Sequence, residues 1–228
     1  MRSQGTEGAR PGIALPFVVA HRAGNQLDRL QEAERLGVAL VEADVRLFHG
    51  RPEIRHLKTV GPLPLYWDRW ALASPFRRSL VLAELLAATR PETELMLDLK
   101  GRDARLAAIV RTELEPFLPE RRFTVCARSW ELLEVFDDLP VRRVASVGTR
   151  RQLGAVLGRY AETGVDGVSI HERLLDARVV TDLRAVAGLV LTWPVNAPAR
   201  ARELVGLGVD GLISDRAGLI APLAAARA

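Results

Sequence analysis

Eight short runs rich in Val, Ile and Leu, each set apart from the next by a longer segment, constrain this chain more than any other feature. They are Phe17–Ala23, Leu40–Leu47, Leu95–Lys100, Phe123–Ala127, Arg143–Val147, Gly167–His171, Val190–Val195 and Gly211–Ser214. Between most of them apolar residues recur at three- and four-residue spacing, as in Leu27, Leu30, Ala33 and Leu36, which is the period of an amphipathic helix. Gly37, Gly164 and Gly208 follow such stretches, where a helix C-cap sits. Strand–helix alternation implies parallel pairing through right-handed crossovers. Eight such units within 228 residues predict an α/β fold, a compact single-domain (β/α)8 TIM barrel over 17–228, behind a loose tail at 1–16. An open doubly wound sheet is the alternative. The absence of a Gly-rich dinucleotide or phosphate loop weighs against it.

Composition narrows the partners. The net charge is +4, but the cations are scattered, with no basic block or aromatic–basic stripe, so nucleic acid is not expected as a partner. No apolar run reaches the ~20 residues that cross a bilayer, and the first residues lack the apolar core of a signal peptide. No stable membrane anchor is therefore expected. Cys126 is the one cysteine, so no internal disulfide forms, and a reducing cytoplasmic setting is expected.

An internal echo points to the strand ends. LGVALVEAD (36–44), TGVDGVSIH (163–171) and LGVDGLISD (207–215) each carry a helix-end Gly, then a strand, then a polar residue seven positions after the Gly. Those residues are Asp44, His171 and Asp215. Similar packing of successive βα units accounts for the echo, yet polar groups at strand ends face the active-site side of a barrel.

In VEADVRL, period two puts Glu42, Asp44 and Arg46 on one strand face and Val41, Ala43 and Val45 on the other. Two carboxylates sharing a covered face repel, and burying both is costly without a cation. A hard divalent ion on oxygen ligands accounts for the pair better than a solvent-facing strand side. Asp98 and Lys100 end the next long run on a shared face, either as a local ion pair or with Asp98 as third carboxylate. Of the four histidines, His21 ends the first run and His56 follows Pro52–Arg55 beyond the carboxylates. Two imidazoles can divide general-base and general-acid duties, while Arg22 and Lys100 supply donors for an anion. The set points to cleavage of a small-molecule phosphate ester.

At these residues the sequence resembles the glycerophosphodiester phosphodiesterase family. The resemblance spans roughly Val18 to Leu219 and runs through HRAG, VEADVRL, HGRPEIRH, LDLKG, WPVN and GVDGLISD, in that order. It implies a barrel hydrolase that uses one divalent cation, Mg²⁺ or Ca²⁺, and releases glycerol 3-phosphate and an alcohol. Carried over, it makes His21 and His56 the acid/base pair, Glu42, Asp44 and Asp98 the metal ligands, and Arg22 and Lys100 phosphate binders. Trp193 and Asn196 are expected to line the pocket. A lysophospholipase-D-like activity on single-chain lipids, or a barrel that binds phosphodiesters without turnover, are the alternatives.

The chain departs from the family pattern in three places. Asp98 stands where Glu is usual, Leu57 follows the second histidine where Asp is usual, and the linker after the first motif is missing. That deletion places Gly24 at the family's Glu position and brings Asn25 close behind His21. These changes bear on metal affinity, substrate range and activity. After His56, LKTVGPLPLYWDRWALASPF (57–76) is expected to form a packed Ω-type loop over the barrel mouth, or a lid whose Tyr66, Trp67 and Trp70 touch the substrate's alcohol. SIHE places His171 as a further polar group on the far side.

Overall fold

All eight runs form strands, and because each is followed by a crossover they pair in parallel and close on themselves. The computed structural model describes residues 15–60, 63–68, 71–73 and 79–225. The strands are β1 (Phe17–Ala20), β2 (Leu40–Phe48), β3 (Arg51–Ile54), β4 (Lys58–Val60), β5 (Leu63–Asp68), β6 (Ala71–Ala73), β7 (Leu80–Val81), β8 (Glu94–Lys100), β9 (Phe123–Ala127), β10 (Arg142–Val147), β11 (Val165–His171), β12 (Ala187–Trp193) and β13 (Gly211–Ser214). The helices are α1 (Leu27–Arg35), α2 (Leu82–Ala88), α3 (Ala104–Leu114), α4 (Arg150–Arg159), α5 (Ala177–Arg184), α6 (Pro198–Gly206) and α7 (Ala217–Ala225). The barrel runs β1–β2–β8–β9–β10–β11–β12–β13, and β13 pairs in parallel with β1 to remove the sheet's edges. This is a (β/α)8 TIM barrel in a single compact domain.

Period two in each strand sorts side chains into two cores. Outward residues such as Val41, Leu97, Val125 and Val168 meet the helices in the larger cluster. Inward residues Phe17, Val19, Leu40, Met96, Cys126, Val144, Leu191 and Ile213 fill the barrel's middle. Each fully buried Phe or Leu of this kind contributes about 1.5–3 kcal/mol. Below that apolar layer, buried Glu94 accepts from Thr124 Oγ1 (2.6 Å) and pairs with Arg142, so a buried ion pair closes the lower end. Above it, inward positions turn polar, and the mouth opens there.

The structure differs from the sequence pattern in places. β1 ends at Ala20, because Arg22 adopts φ 55° and turns the chain into a short 3-10 segment, Ala23–Asn25. β2 continues into an antiparallel extension with β3 and β7. The described residues of 57–76 are not an Ω-type loop: β4, β5 and β6 pair into a separate antiparallel three-stranded sheet. Trp70 lies outside the described residues, as does most of the tail, residues 1–14. Trp130–Phe136, after β9, is a 3-10 helix. Among the described residues no helix is long and apolar enough to cross a membrane.

Candidate active site

The C-terminal ends of the barrel strands surround a cavity of about 300 Å³. Parallel pairing of β2 with β8 sets Asp44 opposite Asp98, and Glu42 lies one inward position below Asp44. One carboxylate oxygen from each of Glu42, Asp44 and Asp98 lies within 4.8 Å of the others. Glu42 and Asp44 are 3% and 1% exposed. Lys100 Nζ stands 2.7 Å from Asp44 Oδ1 and also pairs with Asp98. One ammonium against three carboxylates leaves two negative charges uncompensated within this group.

That imbalance appears in the proton affinities. Burial, then the adjacent Asp44 charge, pushes the Glu42 carboxyl well above its usual value. Burial acts in the same sense on Asp44, but its hydrogen bond with His56 and the Lys100 charge outweigh it and hold Asp44 low. Burial lowers the proton affinity of Lys100, and the charges of Asp98, Asp44 and Glu42 overcome it, so the ammonium stays protonated. Asp98 Oδ1 is buried without a hydrogen-bond partner. An all-oxygen group with a surplus negative charge and an orphaned buried oxygen fits a hard divalent cation.

His21 follows β1 and is anchored by its backbone N–H to Ser214 O (2.9 Å). Its Nδ1 lies 2.7 Å from Asp215 Oδ1, which leaves the other ring nitrogen, Nε2, outside this contact. The hydrogen bond to His21 holds Asp215 below the usual carboxylate range, against its partial burial. His56 follows β3, with its backbone carbonyl accepting from Arg46 Nε (3.2 Å). Its Nε2 lies 3.1 Å from Arg22 Nη2. A guanidinium only donates, so Nε2 accepts and the ring proton sits on Nδ1, 3.3 Å from Asp44 Oδ2.

Arg22 joins these groups. Its left-handed backbone, uncommon for a residue with a side chain, aims its N–H at Glu42 Oε2 (2.6 Å). Its Nε lies 3.7 Å from Asp44 Oδ2.

One expectation is corrected here. Asn196 does not line the cavity. It stands behind Asp215, donating from Nδ2 to Asp215 Oδ2 (2.9 Å) and accepting from the Asp215 backbone (2.9 Å). At Gly24, where the resemblance implies a lost acid, a Cβ would lie 2.8 Å from Ala43 Cβ and 3.1 Å from Glu42 O. Position 24 is a packing position against β2. The neighbouring Asn25 reaches the carboxylates instead, donating to Asp44 Oδ2 (2.8 Å) and accepting from Asp44 N–H (2.9 Å). The Leu57 carbonyl accepts from the Arg55 guanidinium.

His21, Arg22, Glu42, His56, Asp98 and Lys100 all border the cavity, as does Trp193 on the opposite wall. Sequence reasoning did not assign Asp215, Asn25 or Arg128. Asp215 was visible only as one member of the Gly-to-polar echo. Arg128, one residue past β9, and His171 complete the wall around Trp193.

No protein-family model matches the sequence, and no curated protein matches it. Solved structures do. A phosphodiesterase from Oleispira antarctica, in complex with the product sn-glycerol-3-phosphate, is 22% identical, with a TM-score of 0.73 over 90% of this chain and 95% of that one. A glycerophosphodiester phosphodiesterase from Parabacteroides distasonis is 18% identical, with a TM-score of 0.75 over 95% and 99%. One from Thermotoga maritima is 19% identical, with a TM-score of 0.71 over 91% and 97%. Across nearly its whole length, the chain has the barrel fold of these phosphodiesterases.

Proposed function

We propose that the protein is a metal-dependent glycerophosphodiester phosphodiesterase. The observation that carries this is the convergence, in one cavity, of two imidazoles, a three-carboxylate group and the cations Arg22 and Lys100. No simpler function calls for that combination. The structural neighbours named for this activity, one of them holding sn-glycerol-3-phosphate, support it.

Glu42, Asp44 and Asp98 would hold Mg²⁺ or Ca²⁺, and a bound divalent ion supplies charge neutralisation for the phosphoryl oxygens. The protein's own groups do the rest. Arg22 offers a fork of donors to the phosphate. When it turns toward phosphoryl oxygens it releases His56 Nε2, which then faces the reacting atoms. The pair begins with one ring neutral and one protonated. The neutral imidazole takes a proton from water as the water oxygen bonds to phosphorus. The protonated one gives its proton to the alcohol oxygen as the old P–O bond breaks, and the rings end with their protonation exchanged. Asp215 fixes the tautomer of His21, and Asn196 fixes Asp215. The lone, buried Cys126 supports a reducing, cytoplasmic setting.

The test is release of glycerol 3-phosphate from glycerophosphodiesters with Mg²⁺ or Ca²⁺ and with chelator. Turnover that needs the ion is expected. No turnover on any diester with the ion restored would replace this function with a barrel that only binds phosphodiesters.

A further inference from the structure

Across the cavity from the carboxylates, the wall has a different character. Arg128 lays its guanidinium over the Trp193 indole, 5.3 Å from the ring centroid. His171 meets the same indole edge-on at 4.7 Å. Gly148, just past β10, lies beside the guanidinium; a Cβ there would meet Arg128 Nη2 at 3.4 Å, an ordinary contact. Ser146 and Ser169, 4% and 2% exposed, lie below them in the cavity wall.

Arg128 differs from the other cations of the cavity. Arg22 and Lys100 both face Asp44. Among the described residues, Arg128 has no carboxylate within ion-pair distance. His171 does not share its charge. Partial burial, then the Arg173 and Arg128 charges, lower its proton affinity, and its Nδ1 accepts from Arg173 N–H (3.3 Å). The wall therefore presents one guanidinium over an aromatic face. Contact with the indole restricts the guanidinium, whose donors match a phosphate or carboxylate in bidentate fashion. It also places a like charge on an aromatic face that would otherwise attract a quaternary ammonium.

We infer that this wall seats the departing alcohol, and that Arg128 selects alcohols carrying an anionic group over cationic ones such as choline. The inference rests on the proposed diesterase function and names its substrate class. Arg128 is a specificity-determining residue in it, outside the acid/base and cation machinery.

Three diesters separate the charges: glycerophosphocholine, whose alcohol is cationic; glycerophosphoglycerol, neutral; and glycerophosphoglycerophosphoglycerol, whose leaving alcohol carries a second phosphodiester. With cation present, kcat/KM is expected to favour the last over glycerophosphocholine by about tenfold or more, the scale of one charge-assisted contact. Arg128→Gln should collapse that ratio to within about threefold, and Arg128→Lys should keep part of it. Calorimetric binding of the same diesters to a His21→Ala/His56→Ala protein, with and without Arg128→Gln, reads the subsite without turnover. A ratio unmoved by Arg128→Gln, or a wild-type preference for glycerophosphocholine, overturns the inference and leaves the diesterase function standing. Arg128-dependent binding of the anionic diester without hydrolysis of any diester has the opposite effect: the subsite stands and the diesterase function falls.

Discussion

The half of the barrel mouth formed by β1, β2, β8 and the end of β13 and the half formed by β9 to β12 use the same kind of strand end. They are built differently. In the first, polar groups hold one another: Asn25, His56 and Lys100 all contact Asp44, the Arg22 backbone N–H holds Glu42, and Asp215 holds His21. In the second, hydroxyls, an indole and an imidazole line the wall with one guanidinium that no carboxylate pairs among the described residues. A closed polar network fixes geometry and suffers when any member is removed. An open wall of stacked groups can change its members and alter preference while leaving the chemistry in place. Mutations on the two sides should therefore differ in kind as well as in size.

The largest effects belong to the networked half. His21→Ala and His56→Ala should each lower kcat by about 10²- to 10⁴-fold, equally for diesters of every alcohol. A loss that varied with the alcohol would erase the distinction between the halves. Asp215→Asn should cost about 10- to 100-fold in kcat, as removal of a group that orients a working residue does. It should also change the pH–rate profile, which loss of packing alone would leave in place. Asp215 itself is held low, so its stabilising effect is present above the usual carboxylate value of 3.8 and is lost only as pH falls toward its lower folded value.

The third effect concerns the carboxylates. Glu42 binds its proton more tightly than the usual value of 4.5, and a cation must displace that proton. Cation affinity should therefore rise with pH above the ordinary carboxylate range, by up to about tenfold per unit for one proton released. Calorimetry in buffers of different ionisation enthalpy counts the proton. An affinity flat with pH would show that Glu42 does not hold the ion. The smallest effect lies on the open wall. Trp193→Ala should change KM by about two- to fivefold, the scale of an exposed cation–π contact, with kcat nearly constant. A collapse of kcat there would place Trp193 among the groups of the first half.

Much of this was legible in the chain. Strands covered by helices outside and by a packed core inside read as continuous apolar runs, and all eight runs lie where barrel strands formed. Parity alone put Glu42 and Asp44 on one buried face. Local irregularity was harder to read. β3 and β7 are too short to show a period, and the proline content of 57–76 reads as a loop although strands form there with Pro64 inside β5. The partnership of Asp215 with His21, and the displacement of Asn196 from the cavity wall, depend on side chains brought together only by closure. Gly24 shows the same limit. An alignment places an acid there, while the approach of Ala43 leaves no room for one.

The hydrogen bond between His21 and Asp215 joins residues 194 positions apart, across the seam where the last strand meets the first. Most other contacts of the networked half arise within 21–56 and can form while the rest of the chain is still unfolded. Loop-closure entropy makes a contact of such sequence separation slow to form. Recovery of activity during refolding should therefore lag behind recovery of helical signal, and a catalytic assay becomes a clock for the joining of β13 to β1.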